Sequence, residues 1–305
     1  MLATGEVEAV GVAELDDSAA AEALALAPAA ARVSGLAELI ALELDGVVIA
    51  TPSALHAAQA RDALQAGVAV FCQKPLARTA AETRAVVDAA RVANRLLGVD
   101  FSYRHTAAMQ AIVPLVRQGA LGRVFAADLT FHNAYGPDKP WFYDAAQSGG
   151  GCVIDLGVHL VDLALWALDW PEVVEVRSTL LAGGSPLPPG AVEDFAVATL
   201  TLASGAVVRL ACSWRLSAGQ DAVIAAEFYG AEGGATLRNV NGSFYDLAAD
   251  HLQGTARTVL TASPDDWGGR AAAAWARRLA VGDRFDPEAA RLVEVAAVID
   301  RIYGR

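Results

Sequence analysis

In the first hundred residues, apolar positions come in short unbroken runs, separated by longer stretches in which they recur every three or four places. Short runs of this kind suit strands buried on both faces, and the stretches between them have helical spacing, so the order is that of parallel β-α-β units. Predicted strands cover Val7–Ala13, Gly46–Thr51, Val68–Cys72 and Leu97–Ser102, and predicted helices cover Ser18–Leu26 and Ala54–Ala66. Gly67 sits just past the second helix, where a left-handed residue closes the last turn. Thr79 and Glu82 have the spacing of a capping box, opening a helix that runs to about Leu96.

Beyond residue 103 the pattern changes. Val124–Phe131, Val173–Leu181, Phe195–Leu202, Ala206–Trp214 and Val223–Tyr229 are long and strand-like, and Ser204-Gly205 joins two of them in a tight hairpin. The alternation in Phe195–Leu202 is partial, which suits a sheet with one face packed and the other open or shared with another subunit. Helices are predicted at Thr106–Gln118, around Asp155–Leu168 and at Pro287–Tyr303. The segment GGSPLPPG, Gly183–Gly190, reads as a surface loop within this region. The expectation is an α/β protein of two domains: residues 1–103, a parallel dinucleotide-binding type of sheet, and residues 104–305, an α/β domain with an open, mainly antiparallel sheet.

Charge narrows the partners. The chain of 305 residues has a formal net charge of -12, which repels phosphate backbones and anionic lipid, so neither nucleic acid nor a membrane is an expected partner. Mean hydropathy is +0.35, but alanine supplies much of it and charges such as Glu38, Glu43 and Asp45 interrupt the apolar runs. The three cysteines, Cys72, Cys152 and Cys212, lie far apart in apolar runs as buried free thiols do, which suits a reducing cytoplasm.

In an open parallel sheet ligands sit outside the carboxyl ends of the strands, so the residues just past each strand are the candidates for chemistry. Glu14 follows the first strand and can accept hydrogen bonds from a ribose hydroxyl, or be a solvated loop carboxylate. TPSALH follows the second, where Pro52 starts a helix whose free amides point outward, with Ser53 and His56 close by. Gln73-Lys74-Pro75 follows the third, and Lys74 is one of only two lysines, the other being Lys139. The fourth place is GGGCVIDLGVHLVD, Gly149–Asp162. On a regular helix Asp155 and His159, four apart, share a face, as do His159 and Asp162. A carboxylate beside an imidazole suits a general base, and the glycines leave room for a flat ligand. A satisfied core histidine with a carboxylate favoured by the helix dipole fits the same residues.

The order of strand-end acid, TPxxxH, xKPLA and GGGxxxDxGxHxxD resembles the glucose-fructose oxidoreductase, inositol dehydrogenase and rhizopine-catabolism family, written Gfo/Idh/MocA, over nearly the whole chain from Val7 to Tyr303. The resemblance implies a nicotinamide-dependent oxidoreductase acting on a sugar, cyclitol or related polyol. It implies a homodimer or homotetramer assembled through the open sheet. Lys74 matches the lysine of the family's EKP motif, and Asp155 and His159 match its catalytic aspartate and histidine. These three are the expected catalytic and substrate-binding residues. Glu14, Thr51, Pro52, Ser53, His56, Gln73, Lys74 and Trp141 are the expected cofactor contacts. NAD is the expected cofactor, with NADP possible, because Glu14 repels a 2'-phosphate. No metal is expected.

Three departures stand out. Gln73 takes the place of the usual glutamate, and Phe142 follows Trp141 where many members carry arginine. The opening strand and GxGxxG loop of a dinucleotide fold do not precede Val7. The expectation is therefore an incomplete version of the working protein, with a gap between Val7–Ala13 and Gly46–Thr51 and weak binding of NAD by the chain as given. Two other functions fit the same residues: a catalytically silent binding or regulatory protein, and a metal hydrolase using His159 with Asp162 or Asp155.

Overall fold

A computed structural model describes residues 1–305. The N-terminal region holds two small parallel sheets. β1 (Gly11–Ala13) pairs with β2 (Ala31–Val33), and β3 (Gly46–Ile49), β4 (Ala69–Cys72) and β5 (Leu97–Val99) form the second in that order. β1 and β3 do not pair with each other, so each keeps one edge without a strand. The helices between are α1 (Asp17–Leu26), α2 (Leu36–Ile40), α3 (Ser53–Gln65) and α4 (Ala80–Ala93).

Several boundaries differ from the sequence pattern. The first strand covers only Gly11–Ala13 of the expected Val7–Ala13, and β2 and α2 occupy a stretch for which no element was expected. α4 stops at Ala93 because Asn94 turns left-handed (φ 49°), well short of Leu96. The capping box is half formed. Thr79 Oγ1 accepts from Glu82 N, whereas the Glu82 carboxylate accepts from Arg78 N instead of Thr79 N. β5 ends at Val99, and Ser102–His105 coils into a 3-10 turn.

After α5 (Ala107–Arg117), the chain builds a nine-stranded sheet. Its strands are β6 (Val124–Asn133), β7 (Val173–Ala182), β8 (Ser185–Pro186), β9 (Phe195–Leu202), β10 (Val207–Ser213), β11 (Ala222–Gly230), β12 (Gly234–Asn239), β13 (Leu247–Gln253) and β14 (Ala256–Thr261). The order is β14-β13-β12-β11-β6-β10-β9-β7-β8, antiparallel at every junction except β6–β10, which is parallel. β8 lies inside the expected GGSPLPPG loop and folds back on β7. β12, β13 and β14 widen the sheet beyond the expected strands.

One face of this sheet is covered by helices, and the alternating burial of β9, β10 and β11 shows it directly. α7 (Val158–Ala167) is buried along nearly its whole length, preceded by α6 (Ala145–Ser148). The helical run Ala145–Ala167 has the length and apolarity of a membrane span, yet 89% of its most apolar stretch is inside the protein, as a core helix requires.

The last two helices return to the N-terminal sheet. α8 (Arg270–Ala280) lays Trp275 on Phe71 of β4, with ring centroids 5.7 Å apart. Gly46 and Gly98 make that contact possible, because a Cβ on either would come within 2.5 Å and 2.6 Å of the Trp275 ring. α9 (Arg291–Tyr303) packs against α4 on one side and α7 and β7 on the other, so it bridges the two sheets.

Candidate active site

β4 ends at Cys72, and Gln73, Lys74 and Pro75 run out from the carboxyl end of the sheet. Lys74 Nζ donates to Asp155 Oδ1 at 2.5 Å and to the Asp155 carbonyl at 2.8 Å. The second carboxylate oxygen, Oδ2, accepts from Trp214 Nε1 at 3.0 Å. Both side chains of the ion pair are mostly covered, at 19% and 12% exposure, so solvent screens the pair less than it would on the surface.

The helix carrying Asp155 is irregular. Val153–Gly157 winds as a π-turn before α7 begins at Val158, so Asp155 and His159 are not on the regular i, i+4 face that their spacing suggests. Asp155 turns to Lys74 and Trp214, and His159 receives no carboxylate partner. Its ring sits edge-on to Tyr103 and Phe101, with centroids 5.1 Å and 6.4 Å away, and its Nδ1 is buried without a partner. Burial first, and the Lys74 charge second, hold its pKa well below the ordinary imidazole value, so the ring is neutral at physiological pH. Asp162 does not reach His159 either. Arg104 takes both of its oxygens, Nε donating at 2.8 Å, with the guanidinium also over the rings of Phe101, Trp166 and Trp170. That bidentate contact removes Asp162 as the second ligand of a metal reading.

The glycine triplet has a different purpose from the one its flatness suggests. A Cβ on Gly151 would lie 1.9 Å from the Glu193 carbonyl oxygen, and one on Gly150 would lie 2.0 Å from Tyr303 Oη. The space is therefore filled by protein, not by a ligand. Glu193, 1% exposed, accepts from Gly151 N at 3.0 Å, Val153 N at 2.8 Å and Tyr303 Oη at 2.8 Å. Ile154 N in turn donates to Tyr303 Oη at 3.2 Å. This brace satisfies the free amides at the start of the π-turn and holds the segment that presents Asp155. Burial still pushes the Glu193 carboxyl up, against the donors that pull it down.

The remaining candidates lie at the strand ends. His56 is buried at the start of α3, with Nδ1 2.7 Å from the Pro75 carbonyl and Nε2 2.7 Å from the Thr51 carbonyl, so it ties the loops after β3 and β4 together. Thr51 Oγ1 donates to Gln59 Oε1 at 2.7 Å, Ser53 is buried in the first turn of α3, and Pro52 precedes it. Glu14 is exposed beyond β1, its carboxylate accepting from Asp16 N at 2.9 Å. Trp141 stacks on Phe142 at 3.8 Å, and Phe142 meets Trp214 edge-on, so these aromatic rings continue from the Asp155 contact. A cavity of about 160 Å³ beside Phe101 is lined by Arg104, His105, Asp286, Glu288 and Arg291. Its charges are already matched, Arg104 with Asp162, Asp286 with Arg278, and Glu288 with Arg291.

Trp214, Glu193 and Tyr303 had no signal in the sequence, because each acts through contacts with residues far away along the chain. Trp214 carried only the pattern of a strand end.

Family models match this arrangement. Residues 3–101 match the "oxidoreductase family, NAD-binding Rossmann fold" model, and residues 109–236 match the "GFO/IDH/MocA C-terminal domain". The chain belongs to the Gfo/Idh/MocA family. Among curated members, it is 29% identical over 213 residues to the D-glucoside 3-dehydrogenase of Escherichia coli (strain K12), covering 66% of this chain and 61% of that protein. It is 34% identical over 232 residues to the D-apiose dehydrogenase of Paraburkholderia graminis, covering 75% and 58%. The chain therefore spans less than two thirds of the length of these relatives. A levoglucosan dehydrogenase solved in complex with NADH and L-sorbose superposes with a TM-score of 0.80 at 26% identity, over 95% of this chain and 85% of that one.

Proposed function

We propose that this Gfo/Idh/MocA protein is an NAD-dependent dehydrogenase that moves a hydride between nicotinamide and a hydroxyl-bearing carbon of a sugar, cyclitol or related polyol. The observation that carries this reading is the covered ion pair of Lys74 and Asp155, set beside a neutral, buried His159 at the carboxyl end of a parallel sheet. Support for the substrate class comes from the relatives, which are named as dehydrogenases of glucosides, apiose and levoglucosan.

The residues present fit the nicotinamide end of the cofactor. Gln73, Lys74 and the start of α3 line the strand ends, and Asp100 Oδ1 there is a buried acceptor with no donor. Bound nicotinamide supplies the hydride chemistry. Lys74 places a positive charge at the substrate oxygen and stabilises it as the proton leaves. His159 is uncharged and so able to take that proton. With Nδ1 sealed against the protein, Nε2 is the nitrogen that receives it. Asp155, fixed by Trp214, orients the Lys74 ammonium, and its remaining acceptor capacity faces a second substrate hydroxyl. Phe101 and Tyr103 exclude water from the base. Glu14, exposed beyond β1, favours NAD over NADP by repelling a 2'-phosphate.

In this reading residues 1–103 hold the cofactor and residues 104–305 the substrate. The uncovered face of the nine-stranded sheet carries Asp128, Arg209, Val197 and Glu227 in paired registers. It serves as the contact of a homodimer or homotetramer, since a mixed apolar and charged face can meet its own copy. The three unpaired, buried cysteines suit a cytoplasmic protein.

The test is a turnover screen of sugars and cyclitols with NAD, with nicotinamide fluorescence recorded alongside. Reduction of NAD by at least one sugar, lost in Lys74→Met, is the expected result. NADH binding without turnover across the panel would favour a silent binding protein on the same fold.

A further inference from the structure

β4 and β5 are adjacent parallel strands, so the residues that follow them, Gln73 and Asp100, leave the sheet side by side at its carboxyl end. Gln73 N donates to the Ile49 carbonyl and Asp100 N to the Cys72 carbonyl, each at 2.9 Å, which fixes both backbones. Gln73 Nε2 then donates to Asp100 Oδ2 at 2.8 Å. The other oxygen of that carboxylate, Oδ1, is sealed from solvent and meets no donor. No arginine or lysine pairs with Asp100, in contrast to the buried Asp162 and Asp250, both of which hold arginine.

A carboxylate oxygen buried without a donor is an acceptor whose partner comes from elsewhere. Its position narrows the source. Gln73, which holds Asp100, is directly followed by Lys74, the residue that reaches Asp155, so Asp100 is tied to the same strand-end turn that carries the ammonium. The amide at position 73 also has a reason. A carboxylate there would face Asp100 without a donor, and two carboxylates in contact do not both stay ionised.

We propose that Asp100, oriented by Gln73, is a further ligand-binding residue whose free oxygen accepts a hydrogen bond from a hydroxyl or amide N–H of the molecule bound at this strand-end turn. The donor belongs either to the nicotinamide half of the cofactor or to the sugar. The inference rests on the dehydrogenase reading and extends it to a residue outside the Lys74, Asp155 and His159 set.

The experiment titrates NADH, by its fluorescence, into the wild-type protein, Asp100→Ala, Asp100→Asn and Gln73→Glu. It also measures KM in each for levoglucosan or whichever sugar of the screen turns over. If the cofactor supplies the donor, NADH binding weakens about ten- to a hundredfold in Asp100→Ala, the range for a hydrogen bond to a charged group. Gln73→Glu weakens it as well, and Asp100→Asn, which keeps the shape and one acceptor, falls between wild type and alanine. If the sugar supplies it, NADH affinity holds and KM rises by that factor. Should Asp100→Ala fail to fold, Asp100→Asn answers the same question. NADH affinity and KM both unmoved in a folded Asp100 variant would mean that no ligand donor reaches this oxygen, and would overturn the proposal. A wild-type protein that binds no NADH would instead sink the dehydrogenase reading, an outcome distinct from unmoved variants.

Discussion

Lys74 and Asp155 stand 81 positions apart in the sequence, yet Lys74 Nζ lies 2.5 Å from Asp155 Oδ1. The pair joins the end of β4 to the π-turn before α7, and through it the parallel sheet reaches the helix that faces the nine-stranded one. Its removal has a definite kinetic signature. Lys74→Met should lower kcat by about two to three orders of magnitude, as loss of a group that stabilises a developing oxyanion does. Steady-state rates set against the melting temperature check this, because a variant that loses rate only in proportion to folded protein would contradict the assigned role.

His159→Asn should lower turnover by about two to four orders of magnitude, with NADH affinity near its starting value. The pH profile is a second readout. Because burial and Lys74 hold the imidazole well below its ordinary value, the wild-type kcat/KM should stay level from neutral pH to below 6.5 before an acid limb appears. A limb centred at the ordinary value of 6.5 would show that a different group is the base.

Stability should fall on acidification. His105, His132 and His159 all have lowered pKa values, with burial the largest cause in each. Below the ordinary value of 6.5 the unfolded chain binds protons that the folded protein refuses, so the stabilisation is complete above that pH and is lost as pH falls. Glu193, raised from 4.5, acts in the opposite sense and contributes stability only at the acid end. The urea midpoint should therefore decline from pH 7 toward pH 5, and a midpoint that rises over that interval would refute the sign.

Gly151→Ala should destabilise the protein by at least about 1–3 kcal/mol, the cost of forcing an extra carbon into a filled core. Its Cβ would lie 1.9 Å from the Glu193 carbonyl oxygen, backbone that cannot swing aside. Gly268→Ala, with nothing within 4 Å of its Cβ, is the control and should stay near wild type. Denaturation of the two variants side by side measures the difference.

Glu14→Arg should shift cofactor preference from NAD toward NADP by replacing a repelling carboxylate with a guanidinium that can pair with a 2'-phosphate. The ratio of kcat/KM for the two cofactors reads this out, and an unmoved ratio would place Glu14 away from the ribose.

The sequence made the parallel region and most of the candidate site residues legible, because strand-end positions and short motifs are local signals. Lys74 could be found from the run Val68–Cys72 that ends beside it, and Asp155 and His159 from the match of GGGxxxDxGxHxxD to the family motif, since their spacing alone fits a core histidine as well. The π-turn was not legible, since the extra residue per turn follows from the brace of Glu193 and Tyr303, which come from residues 193 and 303. The same reason hid the purpose of the glycines. α8 was missed because alanine and arginine dominate it, leaving Trp275 and Leu279 as its only large apolar side chains. β12 and β13 were missed because the first four residues of each, Gly234–Leu237 and Leu247–Asp250, are all buried and do not alternate, and β14 because it is mostly exposed.

The return of α8 and α9 to the first sheet has a consequence for how the protein is made. Trp275 covers Phe71, and Ala289 and Val293 complete the core around Val47, Val70 and Val86. On the ribosome, β3, β4 and β5 emerge roughly two hundred residues before the helices that cover them. The nascent sheet spends most of translation with an apolar face uncovered, a state open to aggregation or chaperone capture until the last helices arrive.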